Sequence, residues 1–161
     1  QIYVYHQSLG PTKSLSLPET GIYDRDIFWG NDPSQFTTTT FGVGPDASTN
    51  PNGPVYYWLW AEIPGYSAFG SYQGNGDPSG PMIWTGFRPA WIVVKRVNNA
   101  DHWALYDSTR SPNNPSTDNL YANEPFSTQS ALDIDLLSNG FKIREERTDT
   151  GYDTREYIYN E

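Results

Sequence analysis

Apolar residues in this chain come in clusters of four to eight, and nearly every cluster is bounded by Gly, Pro, Asn or Asp. No window sustains the apolar period of about 3.6 residues that an amphipathic helix needs. Short apolar runs broken by turn formers are the pattern of an antiparallel all-β protein. The composition agrees, with 6 Trp, 12 Tyr and 7 Phe beside 14 Gly and 13 Pro. Aromatic residues favour strands, and Gly and Pro favour the turns between them. The pattern predicts strands over 2–6, 36–41, 55–62, 90–97, 103–107, 132–137, 140–147 and 156–159. Shorter strands are expected near 26–29, 68–72, 82–85 and 119–122. The segment 127–137 is the best helical candidate, but "ALDIDLL" alternates apolar and acidic residues, which suits a strand with one buried face.

The chain also repeats itself. "IYVYHQSLGP" (2–11) aligns with "WALYDSTRSP" (103–112) at an offset of 101, so Tyr5 falls on Tyr106 and Pro11 on Pro112. Phe41 falls on Phe141 at an offset of 100. "VYYWLWAE" (55–62) aligns with "TREYIYNE" (154–161) at an offset of 99, which sets Trp58 on Tyr157, Trp60 on Tyr159 and Glu62 on Glu161. Three blocks in one order read as a tandem repeat of a unit of about 100 residues. Residues 67–102 have no earlier counterpart. The expected organisation is a partial unit with its linker over 1–66 and a complete unit over 67–161, either separate or packed as a single sandwich. A partial unit leaves strand edges open, to be covered by a permuted arrangement, by another chain or by an upstream segment. The absence of an initiator Met agrees with a fragment or a processed chain.

Charge and composition exclude several functions. The net charge is −9, and such a surface repels phosphate backbones, so no nucleic-acid partner is expected. No apolar run approaches the roughly 20 residues of a membrane helix, so no membrane insertion is expected. There is no cysteine, hence no disulfide and no thiolate metal site. The stretch "YQGNGDPSGPMIWTGFRPAWIVVKR" (72–96) places glycines before an apolar run and a lysine, as a phosphate loop does. A phosphate loop must feed a helix N-terminus, and here prolines and β-branched residues follow instead. It reads as a turn at Asn75-Gly76 and then a core strand with a basic end. Asn75, Asp77 and Ser79 alternate oxygen donors as a Ca2+ loop does, but the closing glutamate is absent, and no cofactor is expected. Residues 46–52 carry an equally weak loop of this kind. His6 and His102 have no metal-ligand spacing.

Glycoside hydrolysis needs two carboxylates across a cleft. Asp107, Asp133, Asp135, Glu145, Glu146, Asp149 and Glu156 are the candidates. Asp133 and Asp135 share one strand face and are expected to be solvated. Asp107 and Arg110 in "YDSTR" are expected to form a turn closed by their own ion pair. The chain is therefore not expected to be an enzyme. Trp and Tyr can stack on the C–H faces of sugars while Asp and Arg bind hydroxyls. Trp29 and Trp84 border turns and are candidates for such a platform, with Asp107 and Arg110 as polar partners. Trp91 and Trp103 are expected in the core. In 55–62, Tyr56, Trp58 and Trp60 share one strand face, and Tyr57, Leu59 and Ala61 the other. One face is expected in a core and the other in a subunit interface.

The order "GSYQGNGDPSGPMIWTGFRPAWIVVKR", "HWALYDSTRSP", "LDIDLLSNGFKIR" and "YIYNE" resembles an uncharacterised β-rich domain repeated in tail and appendage proteins of marine, cyanophage-like bacteriophages. The resemblance covers essentially the whole chain. It implies an antiparallel β-sandwich of jelly-roll or lectin-like type in a tail fibre or another virion appendage. It supplies no catalytic residue and no cofactor. "YIYNE" departs from the family pattern, which carries an alanine-phenylalanine pair before the glutamate and then continues. The expected function is that of a virion structural protein, made in the host cytoplasm, acting in assembly and host-surface attachment. Its expected partners are other copies of itself, neighbouring virion proteins, or a host cell-surface glycan. A carbohydrate-binding, lectin-like module is the alternative.

Overall fold

A computed structural model describes residues 2–125, 133–144 and 156–160, and within the last stretch only the Tyr159 side chain. Among the described residues there are eleven short strands and two 3-10 turns, with no α-helix. All strand pairs are antiparallel, so the all-β expectation holds. The chain forms two compact units, Gln1–Trp60 and Ala61–Glu161.

Unit 1 holds β1 (Tyr3–Val4), β2 (Lys13–Ser16) and β3 (Ile22–Asp24) in one sheet of that order. Leu15, at the centre of β2, is fully buried. The core continues in aromatic rings. Tyr3 packs on Phe28 at 4.7 Å between centroids, and Tyr5 stacks on Phe36 at 4.4 Å and meets Trp29 edge-on at 5.8 Å. The loop after residue 41 folds back on Phe28, whose carbonyl accepts the Gly44 amide and the Thr49 hydroxyl, each at 2.8 Å.

Three strand expectations fail in this unit. Residues 26–29 form a turn, not a strand. Residues 36–41 form no strand, because the Thr37 hydroxyl accepts the amides of Thr39 and Thr40 and so closes the threonine run on itself. Residues 55–62 form no strand either. No strand of the described residues pairs with them. Conversely, β2 and β3 were not expected.

Unit 2 contains a five-stranded sheet in the order β4-β11-β6-β7-β8: β4 is Phe69–Gln73, β6 Trp91–Arg96, β7 Trp103–Asp107, β8 Asn119–Tyr121 and β11 Glu156–Asn160. A second sheet, ordered β5-β10-β9, holds β5 (Met82–Trp84), β9 (Ile134–Leu137) and β10 (Gly140–Ile143). All eight strands expected here are found, β7 with its expected bounds and the others with shifted ends; residue 132 of the expected 132–137 strand and residues 145–147 of the expected 140–147 strand lie outside the described residues. One buried cluster takes Ile92, Val94, Ala104, Tyr106 and Tyr159 from the first sheet and Ile83, Ile134, Leu136, Phe141 and Ile143 from the second. Each such side chain contributes roughly 1.5–3 kcal/mol by leaving water. The β9–β10 hairpin turns over Ser138 and Asn139 and enters β10 at Gly140, whose φ of +155° and closeness to the Ile83 carbonyl (2.0 Å from a built Cβ) leave room for glycine alone. The other edge of β9 is closed by Asn114, whose amide both donates to the Leu136 carbonyl (3.0 Å) and accepts from its N–H (2.9 Å).

Candidate functional site

The Asp107–Arg110 turn at the end of β7 is built as its sequence predicts. One Asp107 carboxylate oxygen accepts the amides of Thr109 (3.1 Å) and Arg110 (2.7 Å). The other lies 3.1 Å from the Arg110 guanidinium. Trp91 is the residue directly opposite Asp107 across the β6–β7 pair, so both side chains leave the same face of the sheet. Trp91 is 45% exposed, which corrects its expected place in the core. An exposed indole beside a fixed carboxylate and guanidinium can stack on an apolar face and bind hydroxyls at its rim.

Of the four residues expected to form a glycan platform, Asp107 and Arg110 are paired, and Trp84 of the same unit does not join them. Trp29 is 6% exposed, packed against Tyr5 in unit 1, so its faces are not offered to a ligand. Trp84 is 68% exposed, with Met82 beside it on the same face of β5. Its neighbour Ile83 and Asp107's neighbour Tyr106 belong to one buried cluster. Strand alternation therefore sends Trp84 and Asp107 away from that cluster on opposite sides. Trp91 is the aromatic partner that sequence reasoning missed. The register of two strands locates it, and no local motif encodes that register.

Other candidate groups are engaged in turns and pairs. In the 75–79 loop, Asn75 Oδ1 accepts the Asp77 amide at 3.2 Å and Asp77 Oδ1 accepts the Ser79 amide at 2.7 Å. These oxygens serve the turn itself. His6 caps a 3-10 turn, its Nδ1 accepting the Ser8 amide at 3.2 Å. His102 stacks on Tyr121 at 4.5 Å, with its Nδ1 3.1 Å from the Asn123 amide nitrogen. Asp135 is buried, not solvated as expected, and its carboxylate accepts from Arg144 Nε at 2.5 Å. Asp133 is half-buried. Glu145, Glu146, Asp149 and the Glu156 side chain lie outside the described residues.

Lys95 was read as the basic end of a strand, yet it is fully buried. Strand parity puts it on the face of β6 that pairs with Trp103, itself 2% exposed. Its Nζ donates to the Arg96 carbonyl at 2.8 Å. Burial pushes its pKa down from 10.5 to about 8, against the opposing pull of Asp101. Arg96 shares that carboxylate at 3.5 Å.

Among the described residues, exposed large apolar side chains are most concentrated in the segment 55–62. Tyr56, Trp58, Leu59 and Trp60 are between 66% and 82% exposed. Tyr57 is tied back by a 2.9 Å hydrogen bond from its hydroxyl to the Thr49 carbonyl. Both faces of a strand-like segment are thus presented at once.

Comparison with known proteins adds three findings. The chain matches, over residues 1–161, the family described as "Domain of unknown function (DUF7483)". It is 32% identical over 103 residues to a protein of Festuca arundinacea named "Sucrose:sucrose 1-fructosyltransferase", a match over 62% of this chain and 14% of that protein. No solved structure matches. Among the described residues, no helix is long and apolar enough to cross a membrane.

Proposed function

The chain belongs to the DUF7483 family of unknown function, and from that premise we propose that it is a structural interaction module that assembles through exposed β-structure. One observation carries this reading: a segment that pairs with no strand of the described residues and exposes Tyr56, Trp58, Leu59 and Trp60. Monomeric soluble proteins rarely expose a contiguous apolar patch beyond a few hundred Å2, and larger patches mark interaction sites. In this reading unit 2 is a β-sandwich, and units 1 and 2 derive from one repeat. The aligned blocks and the core shared by the two sheets of unit 2 support it. The motif order resembling tail-protein repeats supports a place in a virion appendage, with neighbouring virion proteins or further copies as partners. In this reading the module is no enzyme, in keeping with Asp107 and Asp135, which among the described residues already hold Arg110 and Arg144.

Light scattering over a concentration series tests the reading. Wild type is expected to self-associate, and Trp58→Asp with Trp60→Asp to return it to monomer. A wild-type protein that stays monomeric at high concentration refutes it.

A second reading rests on the exposed Trp91 beside Asp107 and Arg110: unit 2 binds a carbohydrate. The sugar substrate named for the fructosyltransferase keeps this class in view. Trp91→Ala should abolish binding on a glycan array while leaving the fold intact, and an array with no wild-type binding ends this reading.

A further inference from the structure

Two stretches that align at an offset of 99 have opposite fates. Trp60 aligns with Tyr159, and Trp58 with Tyr157. In unit 2, β11 is a central strand, hydrogen-bonded to β4 on one side and β6 on the other. Tyr159 lies opposite Gly70 of β4 and Val94 of β6 and is 9% exposed. Its ring lies 5.5 Å from that of Phe141 in the facing sheet. A Cβ built on Gly70 would sit 2.7 Å from the Tyr159 hydroxyl, so a glycine on β4 makes room for the aromatic ring. Trp60, its counterpart, is 76% exposed, and no strand of the described residues pairs with 55–62.

We infer that residues 55–62 are the closing strand of a sheet supplied by a partner, and that this partner is a unit of the same kind as unit 2. The partner offers one strand like β4, with a glycine opposite the aromatic, and one like β6, with no strand between them. Residues 55–62 enter that gap antiparallel to both, and Trp60 takes the place that Tyr159 holds in unit 2. Three features fit this role. No helix, turn or strand is formed over 55–62. In strand alternation its apolar residues fall on both faces. Apart from the Ala61 carbonyl, which accepts from the Ser67 hydroxyl at 2.8 Å, its backbone makes no ladder with the described residues, and main-chain hydrogen bonds would supply affinity while alternate side chains supply specificity. Within the chain's own unit 2, β11 fills the corresponding gap, so in self-association the acceptor is the unit 2 of another copy with its own β11 displaced, as in a strand exchange. The inference rests on the assembly reading and names its partner and geometry.

Two full-chain experiments decide it. In the first, residues 154–161 are replaced by a second copy of the 55–62 sequence, and a control carries the same residues in shuffled order. The replacement should keep the cooperative unfolding of unit 2, with Tm within about 10 °C of wild type, while the shuffled control loses it. A replacement that melts with the control overturns the inference, as does a control that melts with wild type. In the second, a chain ending at residue 153 and carrying Trp58→Asp and Trp60→Asp is mixed with wild type. A 1:1 complex by light scattering is expected, and wild type given the same two substitutions should form none. Absence of a complex, with the truncated chain monomeric or aggregated, overturns the inference. Failure of either experiment alongside wild-type self-association leaves the assembly reading standing, and loss of self-association alone removes that reading.

Discussion

Lys95 gives the unit 2 sheet a pH signature. Its folded pKa of about 8 lies below the ordinary 10.5 because burial disfavours the ammonium form. Between those values the unfolded chain binds more protons than the folded one, so stability rises with pH across the window. The deficit at neutral pH is roughly 3 kcal/mol, and roughly 2 kcal/mol of it is recovered between about pH 7 and 9.5. Lys95→Met keeps the length of the side chain and removes the charge. It also leaves the Arg96 carbonyl without its 2.8 Å donor, at a cost of roughly 1–3 kcal/mol. At pH 7 the two effects nearly offset, with the variant equal to wild type or slightly more stable. At pH 9.5 about 1 kcal/mol of the deficit is left against the roughly 1–3 kcal/mol of the lost hydrogen bond, so wild type is equal to the variant or the more stable. Urea unfolding followed by Trp emission measures this, since Trp103 is the cross-strand partner of Lys95. Stopping at pH 9.5 avoids ionisation of Tyr5, which burial raises and whose effect above pH 10 has the opposite sign. Parallel wild-type and variant curves over this range would show that Lys95 does not change protonation on unfolding there, and the argument would fail.

Gly140→Ala should cost more than about 2 kcal/mol, because it combines a left-handed φ with a Cβ 2.0 Å from the Ile83 carbonyl; a denaturation midpoint near that of wild type would contradict the hairpin geometry. Asp107→Ala removes the acceptor for the Thr109 and Arg110 amides as well as the Arg110 pair. The expected loss is roughly 1–2 kcal/mol by urea unfolding, with Arg110→Ala costing less because its half-exposed pair adds only about 1 kcal/mol or below. Equal losses for the two would show that the ion pair, not the turn, is what matters.

Features set by residues close in sequence were legible. The Asp107–Arg110 turn closes within four residues, and "LSNGF" makes its hairpin between two alternating runs, so each is encoded where it occurs. Features set by what lies across from a residue were not. Trp29 borders a turn, which says nothing of the Tyr5 ring that packs against it. Lys95 ends an apolar run, and only its register with Trp103 shows that both are enclosed. Strands β2 and β3 escaped notice because Ser14 and Ser16, polar in sequence, are fully buried.

Residues 55–62 bring the two kinds of information into conflict. Their pattern is that of a strand, with β-favouring aromatics and no helix or turn, yet the described residues provide no neighbour. A strand is stabilised by its cross-strand pairs, so propensity without a partner leaves it extended and wet. The stability of this fold does not account for three exposed tyrosines and tryptophans in strand alternation, since exposed aromatics add little to it and favour aggregation. Occupation by a partner sheet accounts for the pattern, because it turns each exposed ring into a buried one and each unpaired amide into a ladder bond. The position of Tyr159, held between Gly70 and Val94, gives the geometry that such a partner would have to reproduce.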